Sequence, residues 1–229
     1  MQVNRTEHKF FINQQEKLLA AEKLAQIMPL DPHCSGGRSY EIRSLYFDTV
    51  TDRCCTEKED GLLVHEKIRI RIYGTDDSVI KLESKRKVGS AQTKQTMLIT
   101  RPVMEALCAG NYQVLLGLSD PLAGYFYQKL SRGMLPRTII QYQRLSFNLD
   151  TNNTRITFDY DIRATEACTD LFQQPLMAHP IFPSNQVILE VKFNNFLLGY
   201  IKNALRCLHV SPSSYSKYLN GRTFRRQMI

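Results

Sequence analysis

The chain has 229 residues, of which 43% are hydrophobic and 23% charged, with a formal net charge of +8. That length suits one large or two small domains, and that composition supports a real core and excludes a disordered chain. The cationic excess points to an anionic partner (nucleic acid, polyphosphate, a nucleotide or an acidic membrane surface) without choosing among them.

In chain order, residues 4–12 read as a strand carrying Arg5, Glu7 and Lys9. Residues 14–28 have helical periodicity, which Pro29 and the loop at 32–37 end. Residues 40–49 are rich in aromatic and β-branched types and read as a strand. Residues 51–61 suggest a short helix or turn closing at Gly61.

The segment 67–73 (KIRIRIY) follows and is the most telling part of the chain. Cations and isoleucines alternate with period two, so one strand face is apolar and the other cationic. Like charges spaced about 7 Å apart along one face repel each other. Such a face is tolerated when something anionic covers it. The next strand, 79–87 (VIKLESKRK), puts Lys81, Glu83, Lys85 and Lys87 on one face and Ile80 and Leu82 on the other. The turn at 73–77 makes the two an antiparallel hairpin.

Residues 92–99 read as a further strand; 101–109 and 120–132 read as helices, with Gly110, Gly117 and Gly133 as stops. Strands at 137–149 and 155–163 flank a turn at 150–153. The second of these sends Arg155, Thr157, Asp159, Asp161 and Arg163 one way, and Ile156, Phe158, Tyr160 and Ile162 the other. Residues 164–186 are irregular and Pro-containing, and 187–193 read as a strand with Glu190 and Lys192 on one face. A helix over 198–209, a short Ser/Tyr-rich helix ending near Gly221 and a basic tail at 222–229, expected to be mobile, complete the chain.

The apolar strand faces must pack on the helices, so the charged faces point away from them. This predicts an α+β fold: a closed antiparallel eight-stranded tunnel β-barrel decorated by helices, formed as a single domain over 1–229. Eight strands close a barrel wide enough for side chains or one ligand. Its lumen would be a basic tunnel holding water, anions and a few acids.

Guanidinium groups grip phosphate oxygens bidentately and ammonium groups act as point charges, so a row of both suits a triphosphate or longer chain. The candidate cations on polar strand faces are Arg5, Lys9, Lys67, Arg69, Arg71, Lys81, Lys85, Lys87, Arg144, Arg155 and Lys192. Most acids on these faces read as ion-pair partners. Glu190, in an otherwise apolar strand where an unpaired carboxylate is costly, is the best candidate to hold Mg2+ or Mn2+ against phosphate.

Other chemistry lacks support. Six scattered cysteines and five histidines show no metal-ligand spacing; the cysteines read as reduced thiols, which points to a cytoplasmic location. No glycine-rich phosphate loop or nucleophile elbow occurs. The basic strands lack the interleaved aromatics of a nucleic-acid stacking platform, so no nucleic-acid partner is expected. The absence of an 18-residue apolar run and of an apolar leader predicts no membrane span and no secretory signal.

Taken together, these motifs resemble the VTC-type polyphosphate polymerase domain of the triphosphate tunnel metalloenzyme superfamily. The resemblance rests on RTEHKF at 5–10, SLYFDT at 44–49, KIRIR at 67–71, LESK at 82–85, YQR at 142–144, RITFD at 155–159, ILEVK at 188–192 and YSKY at 215–218. It implies that Lys9, Arg69, Arg71, Lys85, Arg144, Arg155, Ser216 and Lys217 bind phosphate, with Lys85, Arg69, Arg71 and Lys217 closest to the chemistry. It implies Glu190 as the ligand of Mn2+ or Mg2+. The implied reaction transfers the γ-phosphate of ATP to a growing inorganic polyphosphate chain.

The wider superfamily opens with Glu-x-Glu-x-Lys, whereas this chain has Arg5-x-Glu7-x-Lys9, a change that favours the polymerase branch. Eukaryotic members also carry phosphate-sensing and membrane domains, so coupling to transport would fall to a separate membrane protein. The same resemblance leaves a tripolyphosphatase and a non-catalytic polyphosphate- or nucleotide-binding module as alternatives.

Overall fold

A computed structural model describes residues 5–89 and 91–226. The strands are β1 (Arg5–Asn13), β2 (Tyr40–Thr49), β3 (Val64–Tyr73), β4 (Asp76–Val88), β5 (Ala91–Ile99), β6 (Met134–Leu149), β7 (Thr154–Thr165), β8 (His179–Pro180), β9 (Gln186–Asn194) and β10 (Ser211–Pro212). The helices are α1 (Gln14–Ala25), α2 (Arg53–Glu59), α3 (Arg101–Cys108), α4 (Ala123–Leu130), α5 (Gly199–Leu205) and α6 (Lys217–Arg226), joined by short 3-10 turns. The fold is α+β, and its pairings are antiparallel.

The chain forms two compact units. The first comprises 5–41, Tyr142–Ile162 and Phe182–Tyr215; the second comprises Ile42–Gln141, Arg163–Ile181 and 216–226. Strands β2, β6 and β7 contribute residues to both.

In the first unit the ladder order is β10-β1-β9-β7. Its core joins Ile12, Ala20 and Leu24 to Phe147, Phe158, Leu189, Val191 and Ile201. Helix α1 starts on a reciprocal cap: the Asn13 side chain accepts from the Glu16 amide at 2.8 Å, and the Glu16 carboxylate accepts from the Asn13 amide at 2.8 Å.

In the second unit the order is β2-β3-β4-β5. Ile68, Ile70, Ile72, Ile80, Leu82, Met97 and Ile99 leave one face of these strands and pack with Met104 and Leu107 of α3 and Phe126 and Leu130 of α4. The alternation at 67–73 thus acts as expected: every isoleucine of β3 is fully buried. Ladder pairing continues to Tyr73↔Asp76, so the hairpin turn is only Gly74 and Thr75, with Gly74 at φ 64°. That left-handed conformation costs glycine least.

The expected closed barrel is not formed. Ladder pairing ends at β10 in the first unit and at β5 in the second, and among the described residues neither terminal strand has a second ladder partner. Both carry the unpaired edge that closure would have removed. The strand count behind that expectation fixes neither shear nor closure. The helix expected to end near Gly221 runs on to Arg226 as α6, while residues 227–229 and residue 4 lie outside the described residues.

Helix α6 is anchored in the second unit by polar groups. Asp48, fully buried at the end of β2, accepts from the amides of Thr49 (2.7 Å), Cys54 (2.8 Å) and Cys55 (3.3 Å), and from the Tyr218 hydroxyl. Burial, with Asp48 beside it, holds the Tyr218 phenol far above its ordinary value, so it stays a donor. Arg222 pairs with Asp52 and Glu166.

Replacing Asp48 with Ala should destabilise the protein by at least ~2 kcal/mol, because each buried donor left without an acceptor costs about 1–3 kcal/mol. Denaturant unfolding of Asp48→Ala against the parent measures it.

Candidate functional site

The polar face of the second unit follows from strand register. Lys67 of β3 lies opposite Lys85 of β4, and Lys85 lies opposite Lys94 of β5. Three lysines thus form one row across three strands, with neighbouring strands about 4.8 Å apart. Like charges directly opposite are destabilising. The next row is Tyr46, Arg69, Glu83 and Thr96, and beyond it Ser44 faces Arg71.

Glu83 is the counter-ion of this grid. It is 2% exposed and accepts from Arg69 Nε (2.8 Å) and Nη2 (2.7 Å) and from Lys94 Nζ (2.5 Å), with Arg71 Nη1 at 3.8 Å. Burial pushes its carboxyl up, but Arg69, Arg71 and Lys94 together hold it well below the usual carboxylate range. Burial likewise lowers the Lys94 ammonium, against the pull of Glu83.

Two tyrosines complete this face. The Tyr46 hydroxyl accepts from Arg69 Nη1 at 2.9 Å, and its ring stacks on Tyr218 with centroids 4.9 Å apart. Burial raises the Tyr46 phenol, yet Arg69, Arg71 and Lys67 outweigh it and bring the group down to about 8. Lys67 donates to Ser216 Oγ at 2.7 Å, just before α6, and Lys217 is the first residue of that helix.

The first unit has its own polar face. Lys9, Glu190 and Thr157 form one cross-strand row; Glu7, Lys192 and Arg155 form the next. Glu190, 5% exposed, accepts from Lys192 at 2.6 Å and lies 3.4 Å from Lys9, while Glu7 lies 3.5 Å from Lys9. Arg144 is 6% exposed and donates through Nε (2.6 Å) and Nη2 (2.7 Å) to Asp159. Burial would lower its guanidinium, but Asp159, Tyr142 and Glu190 raise it well above the ordinary value. Arg155 Nη2 donates to Asp31 at 2.9 Å.

Of the residues singled out from sequence, Arg69, Arg71, Lys85, Ser216 and Lys217 therefore belong to the second unit, and Lys9, Arg144, Arg155 and Glu190 to the first. None of the acids facing them stands in an apolar surround: Glu83, Asp159 and Glu190 each hold a cation. Among the described residues no three His, Cys, Asp or Glu side chains group as a metal cluster. The carboxylates of Glu7 and Glu190, bridged by Lys9, are the donors that suit a hard cation, since Mg2+ is commonly held by one or two carboxylates plus phosphate oxygens.

The VTC domain family profile matches residues 4–224. The chain belongs to the VTC domain family. No curated protein matches it. Among solved structures, this VTC domain is similar to a candidate adenylate cyclase from Bacillus halodurans, at 10% identity over 92% of each chain with a TM-score of 0.51. It is also similar to one from Vibrio parahaemolyticus, at 10% identity over 93% of this chain and 96% of that one, with a TM-score of 0.50. At such identity the likeness is one of fold.

Three members of the VTC domain's polar faces escaped the sequence reading. Lys94 is a lone cation in a polar strand, and only its pairing with Lys85 reveals it. Tyr46 and Tyr218 lie within the SLYFDT and YSKY motifs, but nothing in their spacing shows that their rings meet.

One tyrosine of the folded protein should ionise at about pH 8, ahead of the ordinary value of about 10. Arg69→Gln should raise that midpoint, because burial then outweighs the remaining cations. An ultraviolet titration of the phenolate band measures both. The stability this group adds is complete above about pH 10 and is lost as pH falls through about 8.

Proposed function

We propose that this chain is a metal-dependent phosphotransferase that moves the γ-phosphate of ATP onto a growing inorganic polyphosphate chain. The carrying observation is the Lys67–Lys85–Lys94 row beside Arg69 and Arg71. One phosphate needs one clamp. Cations repeated about 4.8 Å apart across strands and about 7 Å apart along them match an extended polyanion. Membership of the VTC domain family supports the same substrate class. The description of the structural neighbours as adenylate cyclases is in keeping with nucleotide-phosphate chemistry.

Phosphoryl transfer asks little covalent help of a protein; positioning and charge neutralisation supply most of the rate. Arg69 and Arg71 offer planar forks to non-bridging oxygens, and Lys85 adds point charge between the lysines of β3 and β5. Lys217 and Ser216 stand at the start of α6, where Lys217 and the Ser216 hydroxyl would hold one end of the chain. Lys9, Arg144 and Arg155 contribute the cations of the first unit's face. Arg144 must share its guanidinium with Asp159 while doing so. Glu190, with Glu7, would hold Mn2+ or Mg2+, which when bound neutralises phosphate charge. Arg5 in place of a first glutamate removes one carboxylate from β1 and favours a phosphate acceptor over water. No helix among the described residues is long and apolar enough to cross a membrane.

Purified protein with ATP and Mn2+ is expected to build long, acid-labile chains, sized by gel electrophoresis. Arg69→Ala and Lys85→Ala should each lower the rate about 100-fold or more, the usual effect of removing one charge-stabilising donor. Phosphate release without chain growth would replace polymerisation with tripolyphosphate hydrolysis. Binding of tripolyphosphate without turnover, under every nucleotide and divalent metal tried, would replace it with a binding module.

A further inference from the structure

We propose that Thr157 provides a hydroxyl ligand, beside the carboxylates of Glu190 and Glu7, for the divalent cation of this protein. The inference rests on the reading of Glu190 as a metal ligand and extends it to a residue that no motif marks.

Three observations carry it. First, register places Thr157 directly opposite Glu190 on the neighbouring strand, in the row that begins at Lys9. Residues so opposed have their Cβ atoms about 5 Å apart on one face. Second, Thr157 is 0% exposed, yet its Oγ1 has no hydrogen-bond partner among the described residues. Buried hydroxyls ordinarily have a partner, so an exception calls for a ligand or bound water. Its chain neighbours Ile156 and Phe158 belong to the core, so Thr157 shares the polar face with Arg155 and Asp159. Third, the donors on this face are all oxygen. The carboxylates of Glu7 and Glu190 lie beside Lys9 and Lys192, with Lys192 2.6 Å from Glu190, so a cation held there would take the rest of its charge balance from phosphate oxygens. Two carboxylates and a hydroxyl form an all-oxygen set, which suits Mg2+ or Mn2+, with phosphate oxygens or water completing the shell.

The test is Mn2+ binding to the whole chain, followed by loss of the free-ion electron paramagnetic resonance signal, with and without tripolyphosphate. Four proteins are compared: the parent, Thr157→Val, Thr157→Ser and Glu190→Gln. Thr157→Val should weaken Mn2+ binding about tenfold, at the low end of what altered metal-site partners cost, and Thr157→Ser should retain it. Without metal, the thermal midpoint of Thr157→Val should be no lower than the parent's, since valine removes a partnerless buried hydroxyl at nearly constant shape.

Parent-like binding by Thr157→Val, with binding lost in Glu190→Gln, overturns the Thr157 assignment and leaves Glu190 standing. Parent-like binding by Glu190→Gln overturns the Glu190 reading and the inference with it, as does a parent that takes up no Mn2+ under either condition. Equal loss in the Val and Ser variants, with lowered thermal midpoints, marks Thr157 as a packing residue and also overturns the inference.

Discussion

Repulsion among closely spaced cations is the constraint on which the second unit depends. Lys67, Lys85 and Lys94 share a row, with Arg69 and Arg71 one and two steps away. In water such a grid would cost little. Here Arg71 is buried and Arg69 half-buried, so screening between these two is weak, while Lys94 keeps half of its side chain in solvent. A single buried carboxylate, Glu83, touches both arginines and Lys94 and offsets part of that repulsion. Behind it, the apolar face of β3, β4 and β5 packs on α3 and α4, and that burial holds the grid in place. Acid, lysine row and isoleucine face are therefore parts of one solution, and none is explicable alone.

The first unit solves the same problem with more acid. Arg144 has Asp159, Arg155 has Asp31, and Lys9 and Lys192 have Glu7 and Glu190. Each polar face thus carries its own counter-ions in the protein alone. An incoming polyanion competes with carboxylates already in place, so net affinity is a difference between two sets of charge-assisted contacts. Glu83, almost wholly buried, is the hardest of these acids to displace; Glu7, a quarter exposed, is easier.

Much of this was legible in the chain. Period-two alternation at 67–73 and 79–87 fixed which side chains share a face, and the structure keeps that division residue by residue. Helices were readable from periodicity and stops, such as 14–28 ended by Pro29. What alternation cannot encode is which strand lies beside which. Lys94 therefore looked unremarkable until β5 paired with β4, and the contact of Tyr46 with Tyr218 spans most of the chain. Closure was over-read for a related reason: strand number says nothing about whether end strands meet. The ion pairs of Arg222 were unreadable for the same reason, since Asp52 and Glu166 lie far away in sequence.

The pairing of β4 with β5 carries a consequence for which misregistered forms the chain can tolerate. Faces alternate along a strand, so parity, rather than distance, decides where Lys94 points. A one-residue slip of β5 along β4 would turn that lysine into the isoleucine-rich interior and send Met97 out among the cations. A two-residue slip would slide the row yet keep every residue on its proper side.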